Sequence, residues 1–215
     1  MSTKSIIMYH TPKTLLTLTL LFLTNLSFGQ KNKDYLISYV DSSSGKELIG
    51  FKSRKGEIII KAKFSQTYTD TLYNMVIVYN DGEWIGIDRD EKLILKPFIY
   101  DNGPDYIEEG FFRFEENNKI GFADANGVKV LSANFDFATP FTNGISEYKL
   151  GGHRKYEKDG HWFWVEAYES GYLNKSGQRF KRITELKGNK REAWTKGNKH
   201  FLLNNKGKII KTYNK

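Results

Sequence analysis

A short motif that ends in a glycine turn recurs along this chain, and it limits the possible folds more than any other feature. In two copies, Ile49-Gly50 and Ile120-Gly121 lead to Gly56 and Gly127, six residues after the first glycine. The same six-residue spacing recurs in three further copies: Gly86 to Lys92, Gly171 to Gly177, and Phe201 to Gly207. Such self-similarity is typical of a repeat array in which each unit buries its apolar face on a neighbour.

Each copy of the motif has the chemistry of a β-hairpin. In one example, Asp124-Ala125-Asn126-Gly127 separates two runs of apolar and β-branched residues, and its glycine suits a turn position with positive φ. Because Lys92 occupies the glycine position of the second copy, we expect that turn to be strained or of another type. An aromatic residue follows the turn residue by eight positions, and a further strand-like run comes next: Phe64, Tyr100, Phe135.

The sequence therefore predicts an all-β fold, a tandem array of about four β-meander or hairpin repeats of 30–36 residues. No long segment has the helical period of 3.6 residues. An open, curved array is favoured over a closed, propeller-like ring. The predicted boundaries are a lead-in at 30–48 and units at 49–84, 85–119, 120–170 with an insertion at 151–165, 171–199, and a terminal cap at 200–215.

The pattern resembles the WG repeat family, in which an apolar residue or tryptophan and a glycine begin a strand that leads to an Asp/Asn-x-x-Gly turn. The resemblance is clear over residues 49–150 and weaker over 171–210. The chain departs from the family pattern by its Ile-Gly pairs and its insertion. The resemblance implies a β-rich, often exported bacterial protein, and it implies no catalytic residues. The matching residues are Trp84 with Gly86, Asp124, Gly127, Tyr100-Asp101, Phe135-Asp136 and Phe141-Thr142-Asn143-Gly144.

Residues 1–29 have the features of a secretory signal peptide. Lys4 and Lys13 give a basic start, an apolar stretch follows from Leu15, and cleavage after Gly29 would follow a small-residue pair. The apolar stretch is shorter than the roughly 20 residues that a transmembrane helix needs. We therefore expect export to the periplasm, cell surface or medium without a transmembrane span in the mature chain, with a retained membrane anchor as the alternative.

Charge is distributed unevenly along the chain, whose net charge is +8. Residues 175–215 hold 13 basic and two acidic side chains, whereas residues 30–174 hold 18 basic and 23 acidic. This basic segment predicts a solvated capping face or attraction to an acidic partner, such as an anionic polysaccharide, lipid head groups, or residues 81–116 of another copy. Nucleic acid is a third, less favoured partner, with Trp194, Phe201 and Tyr213 for stacking. The candidate basic surface is Lys181, Arg182, Lys187, Lys190, Arg191 and Lys199.

The insertion holds the densest aromatic cluster in the chain. One hypothesis is an aromatic platform for a glycan within residues 151–168. The favoured interpretation is a long hairpin whose tryptophans pack on the body of the protein, because alternating aromatic residues are ordinary strand chemistry. The candidate binding residues are His153, Tyr156, His161, Trp162, Trp164 and Tyr168.

The sequence offers no motif for catalysis, metal binding or a cofactor. Cysteine is absent, which excludes a catalytic thiol, a zinc–thiolate site and disulfides. The glycines that flank His153 and His161 disfavour a helical metal site. The predicted function is therefore an exported, non-catalytic module that binds or organises a protein or glycan partner in the cell envelope. The alternative is a carbohydrate-binding or carbohydrate-active protein that uses the aromatic insertion.

Overall fold

The structure is a computed structural model that describes residues 34–213. In this range the chain forms strands and turns, with no helix, and therefore no helix long and apolar enough to cross a membrane. The predicted signal peptide at 1–29 lies outside the described residues. The first strands, in chain order, are β1 (Leu36–Asp41), β2 (Leu48–Lys52), β3 (Ile58–Phe64), β4 (Gln66–Thr67), β5 (Thr71–Leu72), β6 (Val76–Asn80), β7 (Glu83–Ile87), β8 (Leu93–Pro97), β9 (Phe111–Glu116), β10 (Lys119–Asp124) and β11 (Lys129–Phe135).

The remaining strands continue the same pattern, with a hairpin inserted between β13 and β16. That hairpin, β14–β15, lies within residues 151–165, where the sequence predicts an insertion. The strands are β12 (Phe137–Ala138), β13 (Ile145–Leu150), β14 (His153–Tyr156), β15 (Trp162–Val165), β16 (Glu169–Asn174), β17 (Arg179–Phe180), β18 (Arg182–Ile183), β19 (Lys190–Trp194), β20 (His200–Asn204) and β21 (Ile209–Tyr213).

The described residues form five consecutive three-stranded antiparallel meanders, so the predicted all-β tandem array is confirmed. The first to fifth meanders are β1-β2-β3, β6-β7-β8, β9-β10-β11, β13-β16-β17 and β19-β20-β21. Each predicted unit begins at the middle strand of a meander, because the apolar-glycine motif lies there. The first strand of every meander therefore falls within the preceding predicted segment. For the first meander this strand is β1, which lies within the predicted lead-in at 30–48.

The turn between the second and third strands has one geometry throughout. In the third meander, the Gly127 N–H donates to the Asp124 carbonyl at 2.9 Å, and the Asp124 N–H donates to the Val128 carbonyl at 3.0 Å. The Asp124 carboxylate also accepts hydrogen bonds from the N–H groups of Asn126 and Val128. Gly127 has a φ of 80°, so glycine at this position avoids the steric cost of a left-handed conformation.

The second meander uses the same turn without a glycine. The sequence spacing predicts that Lys92 takes the position of the turn glycine. This prediction is wrong, because Glu91 is the residue with the left-handed conformation, with a φ of 63°. The reason is that Asp88 follows Gly86 by two residues, whereas Asp124 follows Gly121 by three, so β7 reaches its turn one residue early. The backbone hydrogen bonds, Glu91 to Asp88 and Asp88 to Lys92, match those of the glycine turns.

A recurring contact joins each meander to the one before it. The turn of the later meander touches the residues that precede the first strand of the earlier meander. Arg89 pairs with Asp34 at 3.0 Å, Asn74 donates to Asn126 at 3.1 Å, Lys175 pairs with Glu109 at 2.9 Å, and the backbones of Gly207 and Gly144 meet directly. Residues 34–213 also contain four apolar clusters, whose large buried side chains include Phe51, Phe122, Phe114 and Phe180.

One junction departs from the others and produces a long loop. At three junctions a short strand, β4, β12 or β18, pairs with the first strand of the following meander. Between the second and third meanders, β8 itself pairs with β9, and this pairing produces a seven-stranded sheet. Residues 98–110 are consequently free of the sheet ladder, apart from bridges at Ile99–Pro104 and Glu108–Phe111, and they form one wall of a groove.

Candidate functional site

The loop at residues 98–110 lines a cavity of about 640 Å³, which we call the central groove. The cavity lies between this loop and side chains from the segments around β4, β7, β9 and β12. Its walls are rich in aromatic rings, and three of its polar residues are acidic. The aromatic lining residues are Tyr68, Trp84, Tyr100, Tyr106 and Phe137, and the polar ones include Asp101, Asn102, Asp105, Glu108, Arg113 and Thr139.

A buried ion pair fixes the wall of the central groove. Arg113, from β9, donates from Nε and Nη2 to the Asp105 carboxylate at 2.5 and 2.6 Å, and from Nη1 to the Ala138 carbonyl at 2.6 Å. Both side chains are buried, and the Arg113 guanidinium lies 4.4 Å from the Phe98 ring centroid. Because a buried charge is costly unless it is paired, this bidentate contact holds the loop against β9 and β12.

The hydroxyl of Tyr68 is an unpartnered polar group on the groove wall. Its oxygen is buried and has no hydrogen-bond partner among residues 34–213. Burial raises the pKa of Tyr68, and the neighbouring Tyr106, Asp105 and Glu108 raise it further. The hydroxyl therefore keeps its proton at neutral pH.

The rim of the central groove carries carboxylates and an exposed ring. Asp101 and Glu108 are exposed, and neither has a cationic group within ion-pair distance in the part of the chain that the structure describes. Tyr106 is 77% exposed although its ring lies 6.3 Å from that of Tyr68. The rim is therefore acidic, and an aromatic face there is accessible to solvent.

Two further cavities adjoin the central groove. One, of about 700 Å³, shares Trp84, Asp101 and Asn102 with it. The other, of about 600 Å³, shares Glu108, Thr139 and Pro140, and its lining includes Arg191. The concave surface therefore continues past the central groove on both sides.

A model of the WG containing repeat family matches the chain three times, over residues 49–84, 87–119 and 120–152. The chain therefore contains three WG repeats within residues 49–152. The matched segments confirm the resemblance seen at 49–150, and residues 171–210, where it is weaker, lie outside them. No curated protein matches the chain in sequence.

All three matched repeats line the central groove: Tyr68 and Trp84 belong to the first, residues 100–113 to the second, and Phe137 and Thr139 to the third. Sequence reasoning did not identify Tyr68, Tyr106, Asp105 or Arg113 as site residues. A signal for Arg113 is present in the sequence, since it is the one charged residue in the run Phe111-Phe112-Arg113-Phe114. A lone arginine in a buried strand needs a buried partner, but the sequence does not reveal which carboxylate provides it.

The two tryptophans of the insertion pack against this WG repeat body. The Trp162 ring lies 5.0 Å from that of Tyr100, and its Nε1 donates to the Tyr100 carbonyl at 3.3 Å. Trp164 stacks on Phe137 at 5.6 Å with an interplanar angle of 15°, and its Nε1 donates to the Gly151 carbonyl at 2.7 Å. The hairpin therefore supports the groove wall from behind.

The other four candidate residues of the insertion are not brought together into one site. Tyr156 and Tyr168 are 63% and 81% exposed, and His161 is exposed in the hairpin turn. His153 lies 3.7 Å from the exposed Glu166 carboxylate. Among residues 34–213, no group of three His, Asp or Glu side chains is placed to hold a metal ion.

The basic surface of the fifth meander contains a ladder of stacked side chains. Trp194 stacks on His200 at 4.6 Å, and His200 stacks on Tyr213 at 4.1 Å. The Arg182 guanidinium covers the outer face of this ladder, 3.8 Å from the Trp194 ring centroid, and Lys211 lies 4.5 Å from that of Tyr213. The ring faces that base stacking would require are therefore occupied within the chain.

The six predicted basic residues do not form a single uniform patch. Five are exposed: Lys181, Arg182, Lys187, Lys190 and Lys199. The sixth, Arg191, is half-buried beside the 600 Å³ cavity, where its Nε has no partner in the described range and where burial lowers its pKa. Arg191 thus belongs to the grooved face of the array.

Proposed function

We propose that this WG repeat protein is an exported, non-catalytic binding module whose ligand occupies the central groove. The observation that carries the proposal is a concave, aromatic-lined site of about 640 Å³ with a wall fixed by the buried Arg113–Asp105 pair. Ligand pockets typically have volumes of roughly 300–1,000 Å³ and are largely formed before binding. The groove meets both conditions.

The composition of the groove supports a binding role over catalysis. Its lining contains no histidine, serine or cysteine, and both oxygens of Asp105 accept hydrogen bonds from Arg113. General acid–base and nucleophilic catalysis need a titratable group within reach of the substrate and free to exchange a proton. The exposed rim carboxylates, Asp101 and Glu108, suit recognition.

Filling the groove tests where the ligand binds. Asn102 is exposed and lines both the central groove and the 700 Å³ cavity, so Asn102→Trp should fill the central groove without disturbing the fold. Ser44→Trp, in an exposed turn of the first meander, is the matched control. Envelope components retained by the immobilised wild type and by the control, but not by Asn102→Trp, are the expected result. Equal retention by all three proteins contradicts the proposal.

Export is part of the proposal and rests on the sequence of residues 1–29. The experiment is fractionation of the producing cell followed by mass spectrometry of the chain's N-terminus. We expect a chain beginning at Gln30 outside the cytoplasm. A chain that keeps residues 1–29 and stays in the cytoplasm would contradict export.

A carbohydrate ligand is the second candidate, and the exposed ring of Tyr106 at the rim of the central groove favours it. Trp162 contacts Tyr100 and so places the insertion hairpin directly behind the groove wall. A glycan array probed with the wild type and with the Trp162→Ala, Trp164→Ala double variant tests it, with circular dichroism as a check on folding. Binding that is absent, or that is unchanged in a folded double variant, removes this candidate. Release of sugar from a bound glycan would identify a carbohydrate-active enzyme.

The basic surface supports a separate attraction to an acidic partner. Its five exposed cationic residues lie outside the central groove, so an anionic polysaccharide or lipid surface could bind there independently. Retention on anionic vesicles at increasing salt tests this role. We expect retention to weaken as salt screens the charges, and retention that does not change with salt contradicts an electrostatic attraction.

A further inference from the structure

We infer that the central groove binds a basic polypeptide segment, with a lysine or arginine side chain placed between the aromatic walls and the rim carboxylates. The inference rests on the proposed function and names its ligand class. The geometry combines aromatic rings, carboxylates without cationic partners and a concave surface that continues on both sides.

Charge complementarity gives the first argument. Residues 81–116 hold 11 acidic and four basic side chains. All four cations already contact carboxylates: Arg89 with Asp34, Lys92 with Asp90, Lys96 with Glu83, and Arg113 with Asp105. Lysines from other segments pair with three more of these carboxylates: Lys63 with Glu91, Lys129 with Glu116, and Lys175 with Glu109. Asp101 and Glu108, at the groove, are in none of the ion pairs of residues 34–213. An anionic ligand would be repelled, and a cationic one attracted.

The aromatic walls give the second argument. The protein already holds one cation against these rings, since the Arg113 guanidinium lies 4.4 Å from the Phe98 centroid and 5.7 Å from that of Tyr100. Aromatic faces attract cations through the ring quadrupole, and the attraction increases where water is excluded. The exposed Tyr106 ring and the neighbouring Tyr68 offer the same chemistry to a ligand.

A glycan fits these rings less well. Stacking of a sugar needs an open aromatic face, but Tyr100 contacts Trp162 at 5.0 Å and Arg113 at 5.7 Å. One face of Phe137 is covered by Trp164. A cation also needs an open ring face, which Tyr106 provides at the rim, and it gains further attraction from the rim carboxylates. The two adjoining cavities add length to the site, which favours a chain segment over an isolated small ligand.

The position of Arg191 limits where the basic residues of the ligand can lie. Arg191 lines the 600 Å³ cavity beyond Glu108, so a cation there would meet a like charge. We therefore place the basic side chains between Trp84 and Glu108.

A labelled peptide of alternating lysine and alanine, with a glutamate-for-lysine peptide as its counterpart, tests the inference by fluorescence anisotropy. The chain has a net charge of +8, so overall electrostatics oppose the lysine peptide and its binding reports a local acidic site. We expect the lysine peptide to bind and the glutamate peptide not to bind at the groove.

Two matched double variants distinguish the effect of charge at the groove from the effect of the overall charge of the protein. Asp101→Asn with Glu108→Gln removes the rim carboxylates, and Glu47→Gln with Glu57→Gln removes the same charge from exposed positions in the first meander. We expect the rim variant to bind about tenfold more weakly and the control to stay within about twofold of the wild type. Tyr106→Leu should weaken binding by roughly threefold through loss of the ring face.

Each other outcome contradicts the inference in a distinguishable way. If the lysine peptide does not bind, or if both double variants weaken it equally, a basic ligand for the groove is excluded. If a glycan binds and Asn102→Trp abolishes that binding while the peptide fails, the proposed function stands and this inference is wrong. If neither ligand class responds to Asn102→Trp, both proposals fail.

Discussion

Two junctions of the array are built in opposite ways, although the same three-stranded meander lies on either side of each. Between the second and third meanders, side chains and a buried ion pair hold a long loop and leave a cavity of about 640 Å³. Between the fourth and fifth meanders, backbone meets backbone: a methyl group on Gly144 would lie 1.9 Å from the Lys206 carbonyl carbon. There, Asn174 Nδ2 also donates to the buried Gly207 carbonyl at 2.9 Å.

The difference shows how a repeat array can combine rigidity with a site. Close backbone packing at Gly144 and Gly207 leaves no room for a ligand, and it fixes the last meander on its neighbour. The direct pairing of β8 with β9 removes residues 98–110 from the ladder, so these residues are free to form a wall. Function is thus expected at the junction between the second and third meanders, which we call the loop junction, because its side chains decide the shape. The junction between the fourth and fifth meanders, which we call the glycine junction, leaves no room for a ligand and serves stability alone.

The largest expected effect on the free energy of unfolding is at the loop junction. Arg113→Ala leaves the Asp105 carboxylate buried without its partner, which should cost about 3–5 kcal/mol in the free energy of unfolding. Urea unfolding measures this cost. The Arg113→Met, Asp105→Leu double variant, which removes both charges, should recover much of the loss. If Arg113→Ala unfolds at the wild-type urea concentration, the ion pair does not hold the wall.

The next effect separates backbone packing from backbone conformation at the glycine junction. Gly144→Ala adds a steric conflict to a left-handed residue whose φ is 75°, so we expect a cost of about 2–4 kcal/mol. Gly45→Ala is the control, because Gly45 has a φ of 80° in open space and should cost only about 1 kcal/mol. Hydrogen exchange should show the loss of protection concentrated in residues 190–213. Equal costs for both variants would remove the special role of this junction.

A smaller effect tests the support of the groove wall by the insertion. Trp162→Ala removes a half-buried ring that contacts Tyr100 and Phe137, with an expected cost of about 2 kcal/mol. Phe163→Ala, whose ring is 43% exposed on the other face of the same strand, should change stability by less than about 0.5 kcal/mol. Thermal unfolding compares the two, and hydrogen exchange should report faster opening of residues 98–110 in Trp162→Ala alone.

Much of the repeat chemistry could be predicted from the sequence. The Asp/Asn-x-x-Gly turns and alternating apolar strands define hairpins by local rules, so the all-β array needed no tertiary information. The one local error was Lys92. The constant six-residue spacing from Gly86 predicted Lys92, because this spacing did not allow for the shorter strand. The Asp88 carboxylate accepts the N–H groups of Asp90 and Lys92, and counting from Asp88 identifies Glu91 as the left-handed residue.

The central groove could not be predicted, because it depends on pairings between distant residues. The sequence does not show that β8 pairs with β9, or that Arg113 reaches back eight residues to Asp105. The insertion was easier to interpret, since its alternating aromatic residues favoured a hairpin packed on the body, and Trp162 and Trp164 pack in that way. Their contact with the loop at Tyr100 needed the three-dimensional arrangement.

Glu109 connects the two regions and gives the smallest expected effect, which depends on pH. It ends the groove loop, and its Oε2 accepts hydrogen bonds from the Gly144 N–H at 3.0 Å and from Lys175 Nζ at 2.9 Å. Burial alone would raise its pKa, but the Lys175 and Gly144 hydrogen bonds outweigh burial and lower the pKa of Glu109 below its ordinary value of 4.5. Arg191 is the other charged group that faces it.

Because the folded-state pKa of Glu109 is the lower one, its contribution to stability is complete above about pH 4.5 and disappears as the pH falls through the folded-state value. We expect Glu109→Gln to cost about 1 kcal/mol at pH 7 and to lose less stability than the wild type on acidification. Glu108→Gln, at the unpaired neighbour, should keep the wild-type pH dependence. If Glu109→Gln and the wild type lose stability in parallel, the acid response belongs to another carboxylate. Asp136 is then the next one to test, since its contacts with Lys119 and Gly151 also outweigh burial and lower its pKa.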